Sequence, residues 1–413
     1  MNEHIRETRR PDTETNISPN QVTISRRGTA QRKKKKQAKA KAMTFTILRR
    51  TGLCLLTLIV VLLIGACLIL NMIFNGSSLE ARKVFTMSLR EPSGTKWIPA
   101  LFIGKDGVAA IENEGSDAMD ITMLSQTGNN NSNTPIVDPN GSTADLTGEF
   151  DNYPDGLYIK EVKGKTFNAY VMVIKDPSLV YMATSSTPFS KDKPGLRINE
   201  AIAKEGAIAA INAGAFFDNG TSSTVVGSVP EGLVIAGGEV LWKTGQAPEN
   251  GFVGFNYDNV MVVDHSMTAA RAKELNIRDG CCFGPALIIN GTINQKAYSA
   301  NSGFNPRTAI GQRADGAVIF VCIDGRQAGS LGGTYKDLID IMVEFGAVNA
   351  CNLDGGSSTV MVYEDQYGLY DGDTDRQRFG DNDQYVLINN YSLLQEQPRR
   401  MPTFFMVKAP SEE

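Results

Sequence analysis

The chain of 413 residues is 42% hydrophobic and 21% charged, which suits two or three compact units and excludes a wholly disordered protein. Its net charge of −4 hides an asymmetry: residues 1–50 carry 14 Lys and Arg against four acids (+10), and the other 363 residues carry 27 against 41 (−14). A basic arm on an acidic body argues against a nucleic-acid partner, because a groove that follows phosphates would place its positive charge on the folded part.

From Thr51 to Phe74 no residue is charged. As a helix those 24 positions reach about 36 Å, enough to cross a hydrocarbon core of ~30 Å, so 51–74 is expected to be a single transmembrane helix. Lys33 to Lys36, Lys39, Lys41, Arg49 and Arg50 precede it. The positive-inside bias then keeps residues 1–50 in the cytoplasm, against anionic membrane lipid, and exports everything after the span. A cleaved signal peptide fits less well, since its apolar stretch is only about 7 to 15 residues. A lipoprotein site at Cys67 is followed by further uncharged residues, which also tells against it.

Residues 75–112 read as a membrane-proximal stalk with an apolar patch at Trp97, Ile98, Leu101 and Phe102. Residues 113–155 are rich in Asn, Ser, Gly, Thr and Asp and are expected to form a flexible linker, because they cannot bury enough apolar surface to order themselves. The main domain is placed at 156–413.

Phe167 to Ile174 is apolar on both alternating faces and should be a covered strand. Ile198, Ala201 and Ile202 lie on one side of a short helix stopped by Gly206. Ala207 to Ile211 reads as a small-residue strand running into Asn212. The clearest stretch is 317–358. A buried strand, Ala317 to Ile323, ends at Asp324-Gly325-Arg326; Thr334 can cap a helix carrying Leu338, Ile341, Met342 and Phe345 at i, i+3, i+4 and i+7; Gly346 stops it. A second strand, Val348 to Leu353, ends at Asp354-Gly355-Gly356-Ser357-Ser358.

The chemistry has few sources. Of two histidines, His4 lies in the arm and His265 sits at a strand end before a helix cap, so a multi-His metal site is excluded. Cys281, Cys282, Cys322 and Cys351 form no CxxC pair, which removes the usual zinc pattern. Carboxylates, Arg and hydroxyls must do the work. If the helix between the two strands is a crossover, the strands are parallel and Asp324 and Asp354 emerge on one sheet edge. Adjacent strands stand about 4.8 Å apart and an intervening strand doubles that, while carboxyl pairs that split glycosidic bonds are roughly 5 to 9.5 Å apart. Each Asp could equally serve only its own glycine turn. Arg307 could clamp an anionic oxygen, and Gly355 to Ser358 offer N–H groups and hydroxyls that could cradle a phosphate or sugar. The loop at Asp371, Asp373 and Asp375 has Arg376 and Asn382 where a calcium loop needs Gly and Glu, and reads as solvated.

Five segments then occur in order: Asn212-Ala213-Gly214-Ala215-Phe216-Phe217, Phe283-Gly284-Pro285-Ala286-Leu287, Asn305-Pro306-Arg307-Thr308-Ala309-Ile310-Gly311, Asp324-Gly325-Arg326-Gln327 and Asn352-Leu353-Asp354-Gly355-Gly356-Ser357-Ser358-Thr359. Together they resemble the phosphodiester glycosidase family. The resemblance runs from about Tyr158 to Lys408 and implies an α+β domain, a mixed sheet packed with helices. It also implies a hydrolase that releases a sugar from a phosphodiester-linked or phosphate-bearing glycan, in exopolysaccharide or cell-wall metabolism. It carries over Asp324, Asp354 and Arg307 as catalytic candidates and Asn212, Glu231, Thr308, Ser357 and Ser358 as substrate-binding ones. In that reading Arg307 and the Ser357 loop hold the phosphodiester oxygens while the two aspartates divide the acid, base or nucleophile duties. No cofactor is required, although an oxygen-rich pocket could hold a divalent cation. A non-catalytic glycan-binding module and a polysaccharide-assembly factor on the same fold are the alternatives.

Overall fold

The computed structural model describes residues 19–90, 94–117, 156–217, 227–244, 251–370, 373, 376–389 and 398–410. The chain divides into two compact units, Met1–Asn71 and Met72–Glu413. The described part of the first is helix α1 (Pro19–Asn75) up to Asn71. The span expected at 51–74 lies inside it. The helix continues back through the basic arm, whose Lys, Arg, Ala and Gln are good helix formers. Its best 18-residue window has a mean hydropathy of 3.2, long and apolar enough to cross a membrane.

The second unit opens with α2 (Leu79–Arg90) and α3 (Ile98–Asp117), closed by an ion pair between Arg90 and Glu112 at 2.6 Å. The expected stalk is thus a helical hairpin, and α3 runs a few residues into the expected linker; 118–155 lie outside the described residues. The strands that follow are β1 (Leu157–Lys163), β2 (Asn168–Ile174), β3 (Val180–Thr184), β4 (Ala209–Asn212), β5 (Leu233–Ala236), β6 (Glu239–Lys243), β7 (Phe252–Asn256), β8 (Met261–Asp264) and β9 (Ile277–Cys282). After them come β10 (Ala286–Ile289), β11 (Thr292–Ile293), β12 (Arg307–Arg313), β13 (Val318–Ile323), β14 (Ala347–Leu353), β15 (Met361–Glu364), β16 (Arg378–Phe379), β17 (Tyr385–Leu387) and β18 (Thr403–Val407). Helices α4 (Ile198–Glu205), α5 (Ala269–Glu274), α6 (Gln295–Ser299) and α7 (Tyr335–Glu344) interrupt them.

Three sheets result, in the orders β1-β2-β13-β12-β14-β10-β11, β16-β17-β15-β4-β18-β3 and β6-β5-β9-β7-β8. The main core lies between them: Tyr170, Met172, Phe320, Cys322 and Leu353 from the first meet Ile211, Met361 and Phe405 from the second and Val253, Phe255 and Cys281 from the third. Helix α7 covers the outer face of the seven-stranded sheet with Leu338, Ile341 and Met342 against Val171, Ile319 and Val321. Burial of each such side chain is worth about 1.5 to 3 kcal/mol. Helix α4 does the same for the six-stranded sheet through Ile198 and Ile202.

The expected mixed sheet needs correction. Every strand pair among the described residues is antiparallel. Strands β13 and β14 are parallel to one another, as a crossover through α7 demands, but β12 lies between them and runs the other way to both. The periodicity that finds each strand contains nothing about which neighbour it bonds. The capping box at Thr334 forms as expected, Thr334 accepting from Asp337 N–H and Asp337 from Thr334 N–H, and Gly346 takes a φ of 79° just past the helix end.

Candidate active site

The start of β12 is the axis of the site. Arg307 pairs with Ile323 and Thr308 with both Cys322 and Leu353, so the next residues on the flanking strands, Asp324 and Asp354, emerge on one edge on either side of β12. Two strand spacings separate their backbones, ~9.6 Å. The main-chain N–H of Asp324 donates to Asn168 O and its carbonyl accepts from Ser330 Oγ. Its side chain is 1% exposed. It also lies close enough to Tyr170 to act on it: burial, and then the Asp324 charge, push that phenol up to about 12. Asp354 is half-buried; its N–H donates to Ala213 O and its carbonyl accepts from Asn212 Nδ2 at 2.6 Å.

Side-chain alternation sends Thr308 and Arg307 to opposite faces of the sheet. Thr308 Oγ1 donates to Asn212 Oδ1 at 2.8 Å, and Val360 N–H donates to the same oxygen. Asn212, fully buried, is therefore a buckle joining β4, β12 and both ends of the Asp354 turn, with each polar atom engaged by protein. Arg307, 2% exposed, turns toward α7. Its Nε donates to Gly333 O, its Nη2 to Ser302 O at 2.6 Å and Gly303 O, and its guanidinium lies 4.6 Å from the Tyr335 ring centroid. These contacts organise the loop before β12.

Other guanidiniums stand at the turn itself. A Cβ added to Gly356 would lie 3.3 Å from Nη1 and Nη2 of Arg326, whose Nη2 also donates to Asn305 Oδ1 at 3.2 Å. Arg326 takes a φ of 59°, a left-handed conformation uncommon outside glycine. Arg399 Nη1 donates to Ser357 Oγ at 3.1 Å, with the guanidinium 4.7 Å from the Phe216 ring centroid. Arg326 lies inside the Asp-Gly-Arg motif, yet nothing local marks it for a role. Nothing local marks Arg399 either, and its neighbour Arg400 is paired with Glu200. Only the chain's return beside the turn separates the two.

Ser357 is thus at the turn with Arg399, while Ser358 is 1% exposed and its hydroxyl has no hydrogen-bond partner among the described residues. Glu231, half-buried, donates its N–H to Ala215 O, on the same loop whose Ala213 receives Asp354. Asn352 ties Gly284 and Pro285 to the end of β14 through Nδ2 and N–H. Among the described residues no three His, Cys, Asp or Glu side chains gather where they could hold a metal ion. Asp373 is paired with Arg376, and Asp371 and Asp375 lie outside the described residues. The four cysteines of the second unit are free and buried, and burial pushes their thiols up.

Residues 205–408, just under half of the chain, match the model of the phosphodiester glycosidase family. Among curated proteins, the SPbeta prophage-derived uncharacterized protein YomE of Bacillus subtilis (strain 168) is 33% identical over 93 residues, 22% of this chain. The chain spans 14% of that protein's length. Among solved structures, the catalytic domain of zebrafish N-acetylglucosamine-1-phosphodiester alpha-N-acetylglucosaminidase, auto-inhibited by its pro-peptide, is similar at 18% identity and a TM-score of 0.46, covering 63% of this chain and 86% of that one. A hypothetical protein from Synechocystis is similar at 15% identity and a TM-score of 0.44, covering 62% of each chain.

Proposed function

We propose that the domain hydrolyses the bond between a sugar and a phosphate in a phosphodiester-linked glycan, outside a membrane to which α1 anchors it, with residues 1–50 against anionic lipid on the cytoplasmic side. The supporting observation is the pair Asp324 and Asp354 at one sheet edge, two strands apart, with Arg326 and Arg399 on the turn after the second acid.

A phosphate diester is a good leaving group, so the heaviest demand is to hold its charge rather than to protonate it. Arg326, Arg399 and the Ser357 and Ser358 hydroxyls take that part, and Arg307 acts through the loop it holds. In this scheme the half-buried Asp354 activates water, and Asp324, buried beside Tyr170, supplies negative charge behind the sugar as positive charge develops on it. Glu231, on the segment that bonds the Ala213–Ala215 loop, is assigned to the sugar. Exopolysaccharide or cell-wall glycan is the substrate class this placement suits, and no divalent cation enters the scheme.

Sugar release by the full chain in detergent, from N-acetylglucosamine-1-phosphate methyl diester and from isolated cell-wall glycans, tests the proposal. Asp324→Asn and Asp354→Asn are expected to lose most of the activity. Wild-type rates in both would remove the scheme, and binding without release would make the domain a glycan-binding module.

A further inference from the structure

The helical hairpin lies outside the family match, yet it touches the loop on which the site is hung. Ser88 of α2 donates its hydroxyl hydrogen to Val84 O at 2.7 Å, which leaves the oxygen free to accept, and it accepts Phe304 N–H at 2.7 Å. Next to it Gly303 has a φ of 69°, and a Cβ there would lie 2.6 Å from Ser88 N and 2.9 Å from Met87 C. Backbone meets backbone, so no other residue fits at 303 without displacing the hairpin.

The strip 302–306 touches Arg307 and both glycine turns of the candidate site. Carbonyls of Ser302 and Gly303 accept from Arg307. Ser302 Oγ accepts Tyr335 N–H at the start of α7. Asn305 exchanges backbone bonds with Gly333 and accepts from Arg326. The Pro306 carbonyl accepts Gly356 N–H at 2.9 Å. The turn after β13 and the turn after β14 are thereby both tied to a segment whose far end is held by α2.

We infer that the hairpin is a working part of the enzyme and that Ser88 is a positioning residue, setting through the 302–306 strip the placement of Arg326 and of the Gly356 turn. The catalytic half of this inference rests on the proposed hydrolysis; the coupling itself does not. The reason is geometric. A hydrogen bond lost at Phe304 frees the strip to move, and displacement of a reacting group by about 1 Å is enough to cost a large factor in rate.

The test uses the full chain in detergent as wild type, Ser88→Ala and Ser88→Thr. Threonine keeps the hydroxyl; alanine leaves the Phe304 N–H without its acceptor. Hydrogen exchange is read at 302–306, 325–327 and 355–357, and sugar release from N-acetylglucosamine-1-phosphate methyl diester gives kcat and KM. Ser88→Ala is expected to speed exchange in all three segments, and to lower kcat about tenfold with KM nearly unchanged, while Ser88→Thr restores both. Faster exchange confined to the hairpin, or a kcat equal to wild type in Ser88→Ala, would overturn the inference. If the wild type itself releases no sugar, the proposed hydrolysis fails, and the exchange pattern alone decides whether the hairpin and the site are coupled.

Discussion

The strand-helix-strand unit at 317–358 and the hairpin α2–α3 both end on the loop before β12, and they differ in how their chemistry is encoded. In the unit, each part follows from its own neighbourhood: two buried strands, a capping box at Thr334, a glycine at 346 that ends the helix. Its acids stand at strand ends, so pairing register alone brings them to one edge. The hairpin has a less ordinary surface, with Trp97 and Leu101 exposed, and meets the site through one hydroxyl and one glycine. Groups placed by register are legible from local pattern, while groups placed by a loop that returns from elsewhere are not.

The largest separation between the two regions is expected from Asp354→Asn and Asp324→Asn, which should each lower kcat by ~10²- to 10⁴-fold in a sugar-release assay. The melting temperature should be far less affected. Asn212→Ala comes next. It strands the Thr308 hydroxyl, the Asp354 carbonyl and the Val360 N–H, and should cost about 3 kcal/mol in urea unfolding together with most of the activity. A loss of activity without a loss of stability would mean that Asn212 meets substrate rather than buckling the strands.

Arg326→Gln should lower kcat/KM on the phosphate diester by roughly 10- to 100-fold, the worth of a charged hydrogen bond, and change a neutral aryl glycoside much less. Equal losses on both would mean that Arg326 holds the turn rather than the phosphate. Thr268→Ala removes the cap of α5, where the Thr268 hydroxyl accepts Arg271 N–H and which has no part in the 302–306 strip, and should cost about 1 kcal/mol of stability, read as a lower urea midpoint with kcat intact.

The smallest effect is alkaline. Burial raises the Cys282 thiol from its ordinary 9.0 to about 11 and the Tyr170 phenol from 10.0 to about 12. Both groups keep their protons in the fold at pH values where the unfolded chain has released them. Stability from this source is full below pH 9 and is lost as pH rises through the window from 9 to 12. A urea midpoint that stays flat across that window would show these groups to be more open to water than their surroundings imply.

How far the site could be read beforehand depends on the residue. Asp324 and Asp354 were legible as strand ends because each follows an apolar run that marks its strand, and their emergence on one sheet edge required only a crossover. Thr308 and Arg307 are adjacent in the sequence and looked equally available, yet alternation on β12 turns one to the six-stranded sheet and the other to α7. Arg399 and Arg400 look alike; one caps the Ser357 turn and the other pairs with Glu200. Short-range pattern records burial and period, and carries no sign of which distant group a polar side chain will meet.

From the amino-acid order alone came the long apolar helix, the strands and helix of 317–358, the two acids at their ends and the family resemblance, because burial, capping and glycine stops act over a few residues. The tertiary structure decided that β12 separates those strands, that Arg326 and Arg399 reach the glycine turn, and that Ser88 reaches the loop before β12. Those outcomes depend on contacts between segments tens to hundreds of residues apart, which only the packed chain can select.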